Sequence, residues 1–352
     1  MSIVLKLVNN KDTERWNQVI ARDPQGTFFD KLEWCNGLSL VSKKLSSLPM
    51  LVEKNGEAIS VFPACLVRET LGSYLESLPF SGYGGGPIFR NRDCLMDMTF
   101  SKNFYHSIIQ LGKLNKCSKI SIRRAHFPDL AAKDFIGKPV IVDSDTCTFV
   151  IDLAEGIDRV HQKIEDSRRR SIKQGEKRGT NIYEARNHSD LVAYYDIYLR
   201  TMDRLESAPV PFQFFNYIWD TFIPRNEAKI FIAEHKNRPI GGILLLIFGC
   251  VCNAWSGGSL YDYQDKRPMD VLISHSIKWA AESNLKSFDF GSTPNDPKSG
   301  HYFHKKTWGG QKVTLYNYHI ILQPKLWRFY TFGYKLVRKV RSVGTVMNLF
   351  KS

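Results

Sequence analysis

The sequence predicts an α/β protein built from two copies of one domain, because the same order of elements occurs twice. Each half starts with two strands joined by a polar turn, continues through a glycine cluster and a helix, and ends in a further strand. The corresponding elements lie about 170 to 180 residues apart. An order this specific favours an internal repeat, with a sheet and a covering helix in each copy.

Hydrophobic periodicity predicts the elements of the first copy. Alternating apolar and polar residues indicate strands, and apolar residues three or four positions apart indicate helices. The Asn-Gly pair at 55–56 between two such strands is typical of a hairpin turn. The predicted elements are strands at 50–53 and 58–62, a glycine cluster at 82–86, a helix at 103–114 and a strand at 119–123.

The second copy follows the same plan after a linking region. This region is predicted to contain a strand at 148–153, a basic helix at 157–173 and a helix at 191–205. The repeated elements then follow as strands at 229–233 and 240–248, a glycine pair at 257–258, a helix at 269–283 and a strand at 287–290. We therefore expect domains at 1–147 and 148–324, followed by a basic aromatic tail at 325–352.

Composition indicates a globular protein without a membrane span. The chain has 352 residues, of which 43% are hydrophobic and 12% aromatic, which is enough for two cores. No apolar run approaches the roughly 20 residues that cross a bilayer, and the N-terminus lacks the pattern of a signal peptide. The seven cysteines show no metal-ligand spacing, so we expect reduced thiols, no metal and a cytoplasmic location.

The net charge of +14 favours an anionic partner. Seven basic residues lie between 163 and 179 against three acidic ones, and the tail at 325–352 has seven basic residues and no acid. Each cluster is also consistent with a solvated helix face. As an amphipathic helix the tail would place the protein peripherally on the inner face of a membrane, whereas packed on its own domain it would only present a basic surface.

Cations and aromatic rings are concentrated at 286–310. The segment starts as an apolar strand that contains Asp289, passes through a polar loop, and then presents His301, His304, Lys305 and Trp308 close together. Cations among aromatic rings at the end of a strand suit an anionic or charge-developing ligand better than they suit a core.

The motifs of the second half resemble a known family when they are taken in order. They are SRRRSIK at 167–173, GG at 241–242, WSGG at 255–258, RP at 267–268, FDFG at 288–291 and GHYFHKKTWG at 300–309. In this order they resemble the FemABX family of aminoacyltransferases and its BioF2-like acetyltransferase relatives. The resemblance covers residues 20–320 and is strongest at 150–310.

The resemblance implies two tandem GNAT-like domains, each a twisted mixed sheet flanked by helices. It also implies an acyltransferase: the cell-wall branch moves an amino acid from aminoacyl-tRNA onto a peptide amine of a peptidoglycan precursor. The family pattern Phe-Lys-x-x-Phe/Trp-Gly corresponds here to 304–309, so Lys305 matches the lysine thought to assist acyl transfer and His304 replaces the phenylalanine.

Acyl transfer to an amine gives these residues physical roles. The attack develops negative charge on the carbonyl oxygen, which the cation of Lys305 would stabilise, unless Lys305 is a plain surface lysine. His304 could act as a base because its ordinary pKa is about 6.5. Asp289 could orient Lys305 or accept a proton, or it could bond loop amides at the strand end.

Substrate contacts are predicted from the basic helix and from the motif positions. The basic face would neutralise an anionic donor or acceptor, and aromatic side chains would line the binding site. The predicted substrate-binding residues are Lys31, Trp34, Arg169, Arg170, Lys173, Trp255, Arg267, Tyr302 and Trp308.

Departures from the family pattern change the expected acceptor. Asn36 stands where the cell-wall branch has a lysine on the nucleotide phosphates of its acceptor, the family arginine is missing at 207–211, and an acid is replaced near Ala125. We therefore expect another anionic acceptor, such as a lipid-linked or sugar precursor.

The donor remains open between aminoacyl-tRNA and acyl-CoA, with no tightly bound cofactor. The segment 261–268 contains no glycine, unlike loops that cradle the pyrophosphate of acetyl-CoA. Our leading hypothesis is an acyl or aminoacyl transferase that acts on an amine of a cell-envelope or polysaccharide precursor. The alternatives are an acetyl-CoA-dependent N-acetyltransferase on an amino sugar and a non-catalytic binder of RNA or an anionic glycan precursor.

Overall fold

One mixed sheet with helices on its faces runs through the computed structural model of the chain. The structure describes residues 3–8, 10–69, 72–79, 85–91, 98–124 and 137–328. Within these residues the strand order is β1-β2-β3-β4-β6-β14-β7-β12-β11-β10-β9-β8, with β5 paired to β3 and β13 paired to β7. The bounds of these strands and of the helices follow below.

The first half contributes six strands and three α-helices among the described residues. The strands are β1 (Ile3–Leu7), β2 (Leu45–Lys54), β3 (Glu57–Glu69), β4 (Gly72–Ser77), β5 (Ile88–Phe89) and β6 (Cys117–Arg124). The helices are α1 (Thr13–Arg22), α2 (Leu32–Gly37) and α3 (Met98–Leu114). The hairpin, helix and strand that hydrophobic periodicity predicts here are confirmed.

The second half adds the remaining described strands and α-helices. The strands are β7 (Val140–Asp152), β8 (Asn181–Glu184), β9 (Ala228–His235), β10 (Arg238–Phe248), β11 (Val251–Ser259), β12 (Ser287–Asp289), β13 (Thr293–Pro294) and β14 (Gln311–Ile321). The helices are α4 (Ile157–Lys163), α5 (Asp166–Lys177), α6 (His188–Arg204), α7 (Phe212–Phe222), α8 (Pro268–Glu282) and α9 (Gly300–Lys306).

Pairing within the sheet confirms the internal repeat. In the first half β4 and β6 are parallel and α3 lies between them in the chain. In the second half β11 and β12 are parallel and α8 lies between them. Parallel neighbours need a crossover connection, and in both halves this connection contains the predicted helix. The fold class predicted from the sequence is therefore confirmed.

Two long strands join the halves into one sheet. β14 pairs with β6 of the first half on one side and with β7 on the other, and β7 also pairs with β12. The predicted boundary at residue 147 falls inside β7. The division into domains at 1–147 and 148–324 stays a prediction, because this strand contributes residues to both.

The basic helix predicted at 157–173 is interrupted, so its prediction as one helix is wrong. Ile164 has an extended backbone, with φ −67° and ψ 132°, and separates α4 from α5. Its side chain is buried, and the backbone N–H of Glu165 donates to the carbonyl of Thr307 at 3.0 Å. Tertiary contacts therefore replace the helical hydrogen bonds that the apolar spacing alone predicted.

An aromatic cluster around Trp34 packs the two halves together. The Trp34 ring contacts Phe28 and Phe29 of the first half, at centroid distances of 5.6 and 5.4 Å. It also contacts Phe214 and Trp255 of the second half, at 5.1 and 5.3 Å. All four pairs are edge-to-face, the arrangement that aromatic quadrupoles favour.

Some sequence predictions fall on residues outside those described. These are residues 82–84 of the glycine cluster, the position near Ala125 and the tail beyond residue 328. Within the described part of the chain, no helix combines the length and apolar character needed to cross a bilayer.

Replacement of Trp34 by alanine tests whether the aromatic cluster holds the fold. We expect Trp34→Ala to reduce the free energy of unfolding by about 3 to 5 kcal/mol, because a fully buried indole is lost from a packed core. Urea unfolding followed by circular dichroism measures the change. The matched control is Phe303→Ala, whose ring is 60% exposed and should matter by less than about 0.5 kcal/mol. Equal effects of the two substitutions would contradict this role.

Candidate functional site

A cavity of about 700 Å³ lies where β11 and β12 stop pairing. The two parallel strands pair only from Val251 to Asn253 and from Ser287 to Asp289, and the residues that follow line the cavity. The polar wall includes Arg123, Arg204, Asn253, His301, His304 and Lys305, and the apolar wall includes Phe29, Trp255, Met269 and Phe290. None of the described residues in this wall is an aspartate or a glutamate.

Lys305 lies at the cavity wall and is held by a turn of the backbone. It belongs to the last turn of α9, and its Nζ donates hydrogen bonds to the carbonyls of Gly291 and Ser292 at 2.9 and 3.0 Å. Gly291 has φ +70°, a conformation that glycine adopts without strain. The turn therefore presents two carbonyls to one ammonium group, which orients the cation without neutralising it.

Asp289 supports this turn from inside the protein. Its carboxylate is 1% exposed and accepts hydrogen bonds from the Gly291 N–H at 2.7 Å and from the Thr148 hydroxyl at 2.6 Å. The alternative in which Asp289 bonds loop amides at the strand end is thus confirmed. Asp289 acts on Lys305 through the turn, and its negative charge also favours the ammonium form.

Burial lowers the pKa of Lys305 from 10.5 to about 8. Desolvation of the ammonium is the largest cause, and the charge of Asp289 offsets part of it. At pH 7 the side chain is therefore still a cation, but one that loses its proton far more readily than a surface lysine. A cation held in a partly dry cavity interacts more strongly with a developing anion than it would in water.

His304 is neutral at physiological pH. Burial, together with the nearby charges of Arg168 and Lys305, lowers its pKa from 6.5 to about 4. An imidazole with so low a pKa is a weak proton acceptor at pH 7, which disfavours the predicted role as general base. The imidazole still lines the cavity, where it can donate or accept one hydrogen bond.

Four of the predicted substrate contacts are buried parts of the core. Trp34 and Trp308 are completely buried, and Tyr302 is 8% exposed and packs edge-to-face on Phe149. Lys31 is 5% exposed and forms a 2.5 Å ion pair with Glu227. These four side chains lie outside the cavity wall. The three rings pack inside the core, and the ammonium of Lys31 is paired with Glu227.

The predicted basic contacts lie outside the cavity, whereas Trp255 lines it. Arg169 donates to the carbonyls at the end of α4, including Ile164 at 2.6 Å, and so caps that helix. Arg170, Lys173 and Arg267 are exposed on the outer surface. Of the predicted basic contacts, Arg170, Lys173 and Arg267 are therefore the ones that a large anionic partner could reach.

Sequence reasoning missed Arg168, Arg123 and Arg204. Arg168 pairs with Asp270, donates to the Thr307 hydroxyl at 3.1 Å and lies 5.6 Å from the Trp308 ring centroid, so it connects α5, α8 and the end of α9. Arg123 and Arg204 line the cavity. Arg168 belongs to the SRRRSIK motif at 167–173, whereas no motif marks Arg123 or Arg204, which the fold brings to the cavity wall.

The backbone at position 309 requires glycine. It has φ +78°, and a side chain there would collide with the carbonyl of Lys163 at the end of α4. The glycine therefore allows the segment after α9 to pack against the break between α4 and α5, next to the contact between Glu165 and Thr307.

Comparison with known proteins agrees with this geometry. Residues 165–306 match the family described as acetyltransferase (GNAT) domain. The lipid II:glycine glycyltransferase of Staphylococcus epidermidis is 33% identical over 129 residues, which cover 33% of this chain and 29% of that relative. The chain thus matches less than a third of the length of this curated relative.

Solved structures share the fold across almost the whole chain. The crystal structure of FemX has a TM-score of 0.70 at 15% identity and covers 93% of this chain and 99% of its own. A tandem GNAT protein from the clavulanic acid biosynthesis pathway has a TM-score of 0.57 at 9% identity, covering 90% of this chain and 98% of its own.

Residues 165–306 are therefore similar to a GNAT acetyltransferase domain, a class of acyltransferases, and the chain has the fold of a protein with two tandem GNAT copies. Within that class, the resemblance to the FemABX-like aminoacyltransferases that the motifs predicted is confirmed.

The pKa of Lys305 can be measured directly. We expect the ¹³Cε resonance of this lysine to titrate at about pH 8, below the surface lysines. Asp289→Asn should lower the pKa further, because it removes a negative charge that stabilises the ammonium while an amide oxygen can still accept from Gly291. NMR titration of labelled protein checks both shifts, with Lys306 as the internal reference. A pKa of Lys305 near 10.5, or an increase in the Asp289→Asn variant, would refute this account.

Proposed function

We propose that the protein transfers an aminoacyl group from an activated ester to an amine of a lipid-linked cell-envelope precursor. The observation that carries the proposal is Lys305, a half-buried cation held by two carbonyls in a cavity wall whose described residues include no acid. The similarity to a protein named lipid II:glycine glycyltransferase supports the acceptor class.

The reaction has a charge requirement that Lys305 meets. The amine attacks the carbonyl carbon of the ester, a C–N bond forms, and the carbonyl oxygen becomes an oxyanion. When the oxyanion collapses, the C–O bond of the ester breaks, the leaving hydroxyl takes up a proton, and the amine nitrogen loses one. An ammonium that is already oriented stabilises the oxyanion more than the neutral carbonyl, which lowers the barrier.

The outer basic surface suits a nucleic-acid donor. Arg170 and Lys173 on α5 are exposed, and seven basic residues lie between 163 and 179. Such a surface binds the phosphates of RNA without reading its sequence. We therefore favour aminoacyl-tRNA as the donor, with the aminoacyl end entering the cavity.

An acyl-CoA donor is the second candidate, and the match to an acetyltransferase domain favours it. The segment before α8 opposes it. Residues 261–266 form a 3-10 helix without glycine, and Arg267 adopts a left-handed conformation immediately before Pro268. Few free amides are therefore offered to a pyrophosphate at this helix N-terminus.

Removal of the Lys305 charge tests the chemical step. We expect Lys305→Met to lower kcat by about 100-fold or more, because an oxyanion-stabilising donor is lost. The rate of the native enzyme should also fall as pH rises above about 8, where Lys305 loses its proton, and this alkaline decline should be absent from the variant. Lys306→Met, which alters the exposed neighbour on α9, is the matched control for measurements of single-turnover transfer. Unchanged turnover in Lys305→Met would remove Lys305 from the mechanism.

Thermal-shift titration distinguishes the two donors. A ligand that binds only the folded protein raises the melting temperature in proportion to the logarithm of its concentration over Kd. We expect aminoacyl-tRNA to raise it and acetyl-CoA to leave it unchanged, with Arg170→Gln/Lys173→Gln reducing the response to tRNA. A shift by acetyl-CoA alone would contradict the tRNA donor and favour the second candidate.

A further inference from the structure

A chain of hydrogen bonds crosses three neighbouring strands of the central sheet and ends at the cavity. Arg123 of β6, Asn317 of β14 and Asp143 of β7 lie opposite one another in the register of the sheet. The Arg123 Nε donates to Asn317 Oδ1 at 2.8 Å, and the Asn317 Nδ2 donates to Asp143 Oδ1 at 2.7 Å. The amide of Asn317 can take only this orientation, since a guanidinium donates and a carboxylate accepts.

The next row of the same strands continues the chain. His319 lies 2.9 Å from Asp143 Oδ2 through Nε2 and 2.9 Å from the Ser121 hydroxyl through Nδ1. Burial lowers the pKa of His319, so the ring is neutral, Nε2 carries the proton for Asp143, and Ser121 donates to Nδ1. Ser121 is 6% exposed and lies outside the cavity wall, which fits an orienting role for this serine, histidine and aspartate rather than a nucleophilic one.

Arg123 uses only part of its hydrogen-bonding capacity within this network. Its backbone N–H donates to the Ser77 hydroxyl at 3.0 Å and its Nε donates to Asn317. In the described part of the chain, no acceptor is bonded to its two terminal nitrogens, and the side chain lines the cavity. A guanidinium whose Nε is fixed presents these two nitrogens as a planar fork, which matches the oxygens of a carboxylate or a phosphate.

The surroundings favour an anion at this fork. Arg204 lines the same cavity, and no acid appears among the wall residues that the structure describes. Glu76 on β4 interacts with the charge of Arg123, which lowers the pKa of Glu76, whereas desolvation, the larger effect, raises this pKa and so disfavours the negative charge of Glu76. The hydrogen-bond network therefore orients Arg123 through its Nε, while its two terminal nitrogens can donate to a ligand in the cavity.

We propose that Arg123 forms an anion subsite in the cavity, held in position by Asn317, Asp143 and His319, and that it binds a phosphate or carboxylate of the acceptor. The assignment of the bound anion to the acceptor rests on the proposed function, whereas the presence of an anion subsite at Arg123 does not. The class of ligand follows from the fork, since bidentate pairing with a planar or tetrahedral oxyanion is what a fixed guanidinium does best.

Binding of inorganic pyrophosphate and of succinate, measured by isothermal titration calorimetry at constant ionic strength, tests the subsite. We expect at least one of the two probes to bind the native protein and its Kd to rise about tenfold or more in Arg123→Gln. Arg123→Lys should fall between the two, because it keeps the charge and loses the fork. Arg200→Gln is the matched control: Arg200 is an exposed arginine of α6, pairs with Asp196 and lies outside the cavity wall.

The two probes separate the sources of the anion. Saturation by pyrophosphate alone assigns the subsite to a phosphate, and saturation by succinate alone assigns it to a carboxylate. If neither probe binds the native protein, or if Arg123→Gln binds as tightly as Arg200→Gln, the proposal is wrong. Thermal melting of each variant establishes that the fold is retained before binding is compared.

A double-mutant cycle tests the positioning role of Asn317. Asn317→Leu should weaken binding of the probe, and Arg123→Gln/Asn317→Leu should bind no more weakly than Arg123→Gln alone, because Asn317 acts only through Arg123. If the losses of binding affinity in the two single variants add in the double variant, Asn317 affects binding independently of Arg123 and is not part of the subsite.

The subsite and the proposed function can fail separately. If pyrophosphate or succinate binds through Arg123 while no aminoacyl transfer is detected, the subsite stands and the function is wrong. If transfer by Arg123→Gln shows the native KM for the acceptor, the subsite is wrong and the role of Lys305 is unaffected.

Discussion

The aromatic contact between the two halves is the constraint on which the rest of the structure depends. Trp34 has no exposed surface and meets rings from both halves edge-to-face, so it fixes their distance and their relative angle. Two of its partners, Phe29 and Trp255, also line the cavity. The packing that holds the halves together therefore also builds part of the cavity wall.

The cavity wall, as far as the structure describes its residues, contains cations but no aspartate or glutamate, an arrangement that costs stability and suits the proposed chemistry. Lys305 is desolvated enough to bring its pKa to about 8, yet its partners are two carbonyls rather than a carboxylate. An ion pair would have compensated the desolvation better and would also have cancelled the field in the cavity. Asp289 makes no ion pair with Lys305. It hydrogen-bonds the turn that holds the ammonium, and its charge stabilises the ammonium only from a distance. Positive charge thus remains available to the oxyanion that the proposed reaction would form.

Local patterns predicted most of the fold, and contacts between distant residues account for what they missed. Alternation and helical spacing identified the hairpins, α3, α8 and the repeat, since each depends on neighbours in the chain. The break at Ile164 escaped prediction because its cause is Thr307, more than a hundred residues away. Lys305 was found through its motif. Arg123 had no such signal, since only the pairing of β6 with β14 gives it Asn317 as a partner.

The positions of the cations account for the departures from the family pattern. Asn36 carries no charge where the cell-wall branch has a lysine, and Lys31 cannot replace it because its ammonium is committed to Glu227 inside the fold. The described cations in the cavity wall that remain apart from Lys305 are Arg123, on β6, and Arg204, at the end of α6. An anionic group on the acceptor would therefore be held from the sheet and from α6, not from the segment around Trp34. Under the proposed function, the acceptor would therefore be anchored at a different place from that in the cell-wall branch, while Lys305 would assist the formation of the same kind of bond.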